Sequence, residues 1–169
     1  GHLDAAQNEA AIHASPFLEV LSSVKSELTR FADTGLDTLR DLVGWLAERG
    51  QTAASLTLAS EWLTSYVMAK CGETDHHAGY KKRKPYSLAV AILENPDISA
   101  ENNETCRAAL AHLQQTLSTE ALNTLAKVAS TIRNARNDLN HAGFNESPAS
   151  ASALAQRARE VVEQLAKLP

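Results

Sequence analysis

Between residues 131 and 144 the chain reads TIRNARNDLNHAGF, which gathers two arginines, three asparagines and a histidine in one short span. Arg133 and Arg136 carry fixed positive charges whose planar donors suit the non-bridging oxygens of a phosphate. His141 offers the side chain that most readily exchanges a proton near neutral pH, and the amides of Asn137 and Asn140 can orient both kinds of group. These types in this span suit a phosphate-handling site. They equally suit a solvated helix face whose last carbonyls are capped by Asn140 and His141, where the helix dipole favours a cation.

Helical geometry constrains the first of these uses. Arg136 and Asn140 fall about 40° apart and share a face, while Arg136 and His141 fall about 140° apart on an unbroken helix. Arg133 lies about 80° from His141 and borders the same region. For Arg136 and His141 to meet one ligand, either the helix loosens at the HAGF sequence, where Gly143 is a good terminator, or a second copy of the chain supplies the other half.

The elements that must carry these residues are helices. Alanine occurs 29 times and leucine 22 times, against 12 valines and isoleucines together, so the apolar content consists of helix formers. Ser15 and Pro16 mark a helix start, and Phe17 to Phe31 repeat at helical spacing. A second helix follows from Leu36 toward Gly50. A third places Ala53, Leu56, Ala59, Leu63 and Val67 on one side, with Trp62 and Tyr66 beside them as core, and stops at Gly72. The polar ETDHHAGYKKRK reads as a loop, and Pro85 and Pro96 bracket a short helix of about ten residues. Residues 104–117 and 119–141 are either one helix broken near Ser118 or two packed helices. Ser147 and Pro148 start the last helix, which carries Leu154, Ala158, Val161 and Leu165 to Pro169. The expected fold is all-α, a single bundle of six or seven helices spanning residues 15–169, with GHLDAAQNEAAIHA at residues 1–14 read as a tag remnant and linker.

Charge and cysteine usage narrow the setting. Sixteen Lys and Arg against 20 Asp and Glu give a net charge of −4, which argues against a broad phosphate-neutralising surface, so any nucleic-acid site is local. Cys71 and Cys106 are too few for a disulfide framework and fit free thiols in a reducing cytoplasm. No apolar run approaches the roughly 18 residues a membrane span needs.

Arg136-Asn137, three residues, then His141 is similar to the R-x4-6-H signature of the HEPN superfamily, in which a polar residue often follows the arginine late in the penultimate long helix. GQTAASLTLASEWLTSYV at residues 50–67 resembles a helix in the HEPN domains of CRISPR-associated (type III, CARF–HEPN) ribonucleases, and RNARNDLNHAGF resembles their active-site helix. The resemblance implies a metal-independent endoribonuclease with no cofactor, acting as a homodimer in which two Arg136 and His141 pairs converge on one site. Asn137 matches the motif's polar second position, and Asn140 and Arg133 are added as supporting groups from helix geometry. Single-stranded RNA would be cut by its own 2′-hydroxyl, leaving a 2′,3′-cyclic phosphate, and DNA would be inert. Cyclic oligoadenylate would act only through a sensor domain absent from this chain. A catalytically silent module that binds RNA, nucleotide or a protein partner is the alternative, and a bundle serving only protein interaction is a third.

Other polar groups carry weaker signals. Lys81, Lys82, Arg83 and Lys84, flanked by Tyr80 and Tyr86, form either a guide for an RNA backbone or a solvated loop. Cys71, Asp75, His76 and His77 are near each other in sequence but lack a paired second cluster, so no metal site is expected. Glu61 beside Trp62 could add a polar group near the site, His112 reads as structural or surface, and Asp138 reads as an exposed carboxylate.

Overall fold

A computed structural model of the chain describes residues 26–27, 29–33, 35–75, 78–100, 103–140 and 149–169. Among the described residues there are six α-helices and no strand: α1 (Leu36–Glu48), α2 (Thr52–Lys70), α3 (Tyr80–Glu94), α4 (Glu104–Thr116), α5 (Thr119–Asn140) and α6 (Ala151–Leu165). The all-α bundle is the architecture. The helix expected from Ser15 lies mostly outside the described residues, where Ser26, Glu27 and Thr29 are helical. Residues 39–169 form a compact unit of their own, and every described candidate site residue belongs to it.

The centre of that unit is α2. Leu56, Ala59 and Val67 are fully buried, and Trp62, Leu63 and Tyr66 are at most 5% exposed, whereas Ala53, at the helix's first turn, is exposed. Trp62 and Tyr66 stack with ring centroids 5.2 Å apart, as expected of a core pair one turn apart. The Tyr66 hydroxyl donates to the Pro169 carbonyl at 3.0 Å, which satisfies its polar end. Around α2 pack α3, α5 and α6, and α3 packs in turn on α4 and α5. Ser55 donates to the Val43 carbonyl at 2.9 Å, tying α2 to α1, and Val162 of α6 lies 3.5 Å from the position a Gly44 side chain would take.

Two glycines stop helices as the sequence suggests. Gly50 (φ +70°) and Gly72 (φ +80°) both take the left-handed conformation. Gln51 N–H bonds Leu46 at 2.9 Å and Gly50 N–H bonds Ala47 at 3.1 Å. Glu73 N–H bonds Met68 and Gly72 N–H bonds Ala69, both at 3.0 Å. This is the Schellman pattern, which satisfies the last free carbonyls of each helix.

The open choice around Ser118 resolves into two helices. Leu117 is extended, and the Ser118 hydroxyl accepts from Ala121 N–H at 3.2 Å, so Ser118 caps α5. For α6 the cap is Ser150, accepting from Ala153 N–H at 3.1 Å; Ser147 and Pro148 lie outside the described residues. The helix ends at Leu165, short of the expected Pro169.

One helix start is a correction. Pro85 does not open α3 but sits inside it, and Lys81–Lys84 form its first turn instead of a loop. Gly79 precedes that turn, and its carbonyl accepts from Lys82 N–H at 3.0 Å. Pro85 leaves the Lys81 carbonyl without its helical donor, at a cost of about 3 kcal/mol in a helix interior. Side-chain ties at Lys82 and Arg83 hold the preceding turn in place. Replacing Pro85 with Ala should therefore stabilise the protein by about 2 kcal/mol, seen as a higher urea midpoint at unchanged slope. An unchanged midpoint would mean that the helix starts at residue 85 after all.

Candidate functional site

Arg136 projects from α5 toward α2, half-buried, and its Nη1 donates to the Ser60 hydroxyl at 3.0 Å. Ser60 is neutral, and no carboxylate pairs with Arg136 among the described residues. The charge of this guanidinium is thus held in place without being cancelled. One turn earlier, Arg133 ion-pairs with Glu94 of α3, whose side chain is 7% exposed against 49% for the arginine. Arg133 is therefore a neutralised neighbour. Asn137 is exposed. The Asn140 side chain and all of His141 lie outside the described residues, so the structure brings together Arg136 and Arg133 and gives no position for the histidine.

Arg133 and Arg136 line a cleft of about 170 Å³ between α2, α3 and α5, whose polar wall is Ser60, Thr64, Ser87 and Glu94. The α5 face that reaches it runs Ala129, Ile132, Arg133, Arg136, a single stripe at helical spacing that turns from apolar to cationic toward the carboxyl end. Such a cleft offers a half-shielded positive charge, neutral hydroxyls and one carboxylate already paired. That set suits an anion better than a cation.

Asp138 differs from expectation. It is not a free exposed carboxylate but pairs with Arg157 of α6, with side chains 23% and 36% exposed. Asp138 stands about 200° around α5 from Arg136, so its charge is directed to the α5–α6 seam and does not oppose an anion in the cleft. Sequence reasoning missed Arg157, Ser60 and Glu94, because each acts only through a helix distant in the chain.

The basic run is also divided by the fold. Lys82 pairs with Glu73 at 3.0 Å. Arg83 donates to Glu61 Oε2, the Glu61 carbonyl and the Ser65 hydroxyl, each at 2.9 Å. Those two side chains fasten α3 to α2 and its following turn. Glu61 is the clamp for Arg83 and lies outside the Arg136 cleft lining. Lys81 and Lys84 are exposed and make no ion pair among the described residues, so they remain open to an anion. The tyrosines part company as well: Tyr86 is buried, and Tyr80 is 76% exposed.

The remaining polar candidates are structural. His112 Nε2 lies 2.9 Å from the Lys70 carbonyl, tying α4 to the end of α2. Cys106 is buried and Cys71 half-buried, and both are free, with burial raising each thiol pKa and the Glu73 charge adding to the rise at Cys71. Of the residues weighed for a metal, His76 and His77 lie outside the described residues.

The chain matches no protein-family model, no curated protein and no solved structure.

Glu73 joins the start of α3 to the end of α2. The Tyr86 hydroxyl donates to Glu73 Oε1 at 2.9 Å, and the Lys82 and Tyr86 hydrogen bonds, in that order, hold the carboxyl below the ordinary carboxylate range. Burial, then the Glu73 hydrogen bond and charge, push the Tyr86 phenol from 10.0 to about 12. Because the folded pKa is the higher one, the protonated phenol stabilises the fold fully below about pH 10, and that stability is lost as pH rises toward about 12. Urea unfolding followed across this alkaline window should show a step in the native protein that shrinks in Tyr86→Phe, with a remainder from Tyr66, whose phenol pKa is also raised by burial.

Proposed function

We propose that this chain is a metal-independent endoribonuclease domain of the HEPN kind, acting on single-stranded RNA as a homodimer in a CRISPR-associated antiviral setting in the cytoplasm. The observation that carries the reading is the environment of Arg136: half-buried at the wall of a polar cleft and bonded to a neutral hydroxyl, it keeps its charge for an incoming phosphate. Partial burial makes that charge act more strongly than an exposed one, because less water screens it. The motif Arg136-Asn137-x3-His141 supports the same reading from sequence.

The reaction follows from the groups. The substrate's 2′-hydroxyl attacks the adjacent phosphorus, losing its proton as the new O–P bond forms. The bond from phosphorus to the 5′ oxygen breaks, and that oxygen gains a proton. Arg136 stabilises the negative charge that builds on the non-bridging oxygens, and His141 transfers the proton. The end of a helix favours a charged imidazole, which suits His141 to donate to the leaving oxygen. Pairing two chains sets one copy's histidine against the other's arginine, removing the need for a single helix to turn both groups to one face.

The test is a time course of cleavage of unstructured RNA in excess chelator. Native protein should yield fragments ending in 2′,3′-cyclic phosphate and 5′-hydroxyl, with DNA of the same sequence intact. Arg136→Ala should slow cleavage by about 10²–10³-fold, and His141→Ala by about 10²–10⁴-fold. Retained binding with no product from any variant would instead describe a silent RNA-binding module.

A further inference from the structure

We propose that the Arg136 cleft continues along α3 as a track for single-stranded RNA, with Lys84 meeting a backbone phosphate and Tyr80 stacking on a base at the far end. The proposal rests on the ribonuclease reading for its choice of polymer. Its own support is the juxtaposition of two clefts.

Beside the 170 Å³ cleft lies a second, of about 300 Å³, lined by Glu61, Thr64, Tyr80, Arg83, Lys84 and Ser87. Thr64 and Ser87 line both, so the two clefts are neighbours that meet at this pair of residues. On α3, with Arg83 and Val90 beside them, Tyr80, Lys84, Ser87, Ala91 and Glu94 line the two clefts. Their spacing of four, three, four and three is a single straight stripe on a helix. The stripe exists only because α3 begins at Tyr80, five residues before Pro85.

Charge decides what the groove accepts. Glu61 is taken up by Arg83 and Glu94 by Arg133, which leaves Arg136 at one end and Lys84 at the other without a carboxylate partner among the described residues. Two separated cations joined by hydroxyl groups fit a chain of regularly spaced anions with sugar hydroxyls between them. Tyr80 adds a flat face. A lone exposed aromatic needs no explanation, but this one sits on the rim of the same groove, one helical turn from Lys84. Base stacking on such a ring is tolerant of sequence, because every base has a π-face. From Tyr80 to Glu94 the helix spans about 21 Å, room for about six stacked nucleotides.

The track makes affinity depend on substrate length. Binding is measured by fluorescence anisotropy with single-stranded 2′-O-methyl RNA, which lacks the attacking hydroxyl, as a dinucleotide and as a ten-nucleotide strand. Tyr80→Ala should weaken the ten-nucleotide strand by about 5- to 150-fold and leave the dinucleotide unchanged, while Tyr80→Phe behaves as the native protein. Lys84→Gln should lower the salt dependence of the longer strand by about one unit of slope. Ten-nucleotide binding that is indifferent to Tyr80→Ala overturns the track and leaves the ribonuclease reading in place. Failure of native protein to bind either strand overturns both. Polyglutamate binding with the same Tyr80 and Lys84 dependence, in preference to RNA, overturns the RNA assignment of the groove.

Discussion

A helix that is apolar around most of its circumference can be stable only when other helices cover it. From Ser55 to Met68, α2 is such a helix, with buried side chains on successive turns and on more than one face. Its coverage by α3, α5 and α6 sets the arrangement of the bundle. The polar residues that α2 does carry have consequently few places to go. Ser55 is satisfied by the Val43 carbonyl, Ser65 by Arg83, and Ser60 by Arg136. A buried or half-buried hydroxyl without a partner would cost the fold, so each of these serines fixes a neighbouring element in position. The candidate site is the place where that requirement is met by a charged side chain approaching from α5.

The cationic groups of the bundle separate by what they touch. Arg83, Arg133 and Arg157 each meet a carboxylate from another helix, and Lys82 meets Glu73 in the turn after α2. These pairs orient helices and leave little net field. Arg136 meets a hydroxyl, so the bond orients the guanidinium while its charge stays available to a ligand. In a chain with net charge −4, a binding site for an anion has to be made in this local way. The same distinction separates Lys84 from Lys82, two residues earlier on the same helix.

Glu73 shows how a backbone feature reaches the site. Gly72 turns the chain through a left-handed conformation that few side chains tolerate, and the residue after it is thereby placed beside α3. From there Glu73 receives both Tyr86 and Lys82. The two contacts secure the first turns of α3 on either side of Pro85. Continuity of that helix in turn aligns Tyr80 and Lys84 with Ser87 and Glu94.

What the amino-acid sequence determined by itself were the features set by short-range chemistry and burial. Helical composition, the apolar spacing of Leu56, Ala59, Leu63 and Val67, the aromatic pair Trp62 and Tyr66, and the stops at Gly50 and Gly72 all depend on neighbours within a turn or two. Arg136 was legible as a candidate for the same reason, since its motif is local. Only the tertiary structure decided which charges are cancelled. Glu94 reaches Arg133 across 39 positions of chain, and Ser60 reaches Arg136 across 76, and no periodicity encodes such meetings. It also decided that α3 runs through Pro85, because a proline's local cost is set against contacts made by residues that the sequence places in a loop. Local propensity selects helices, but the charge a ligand would meet is fixed only when those helices pack.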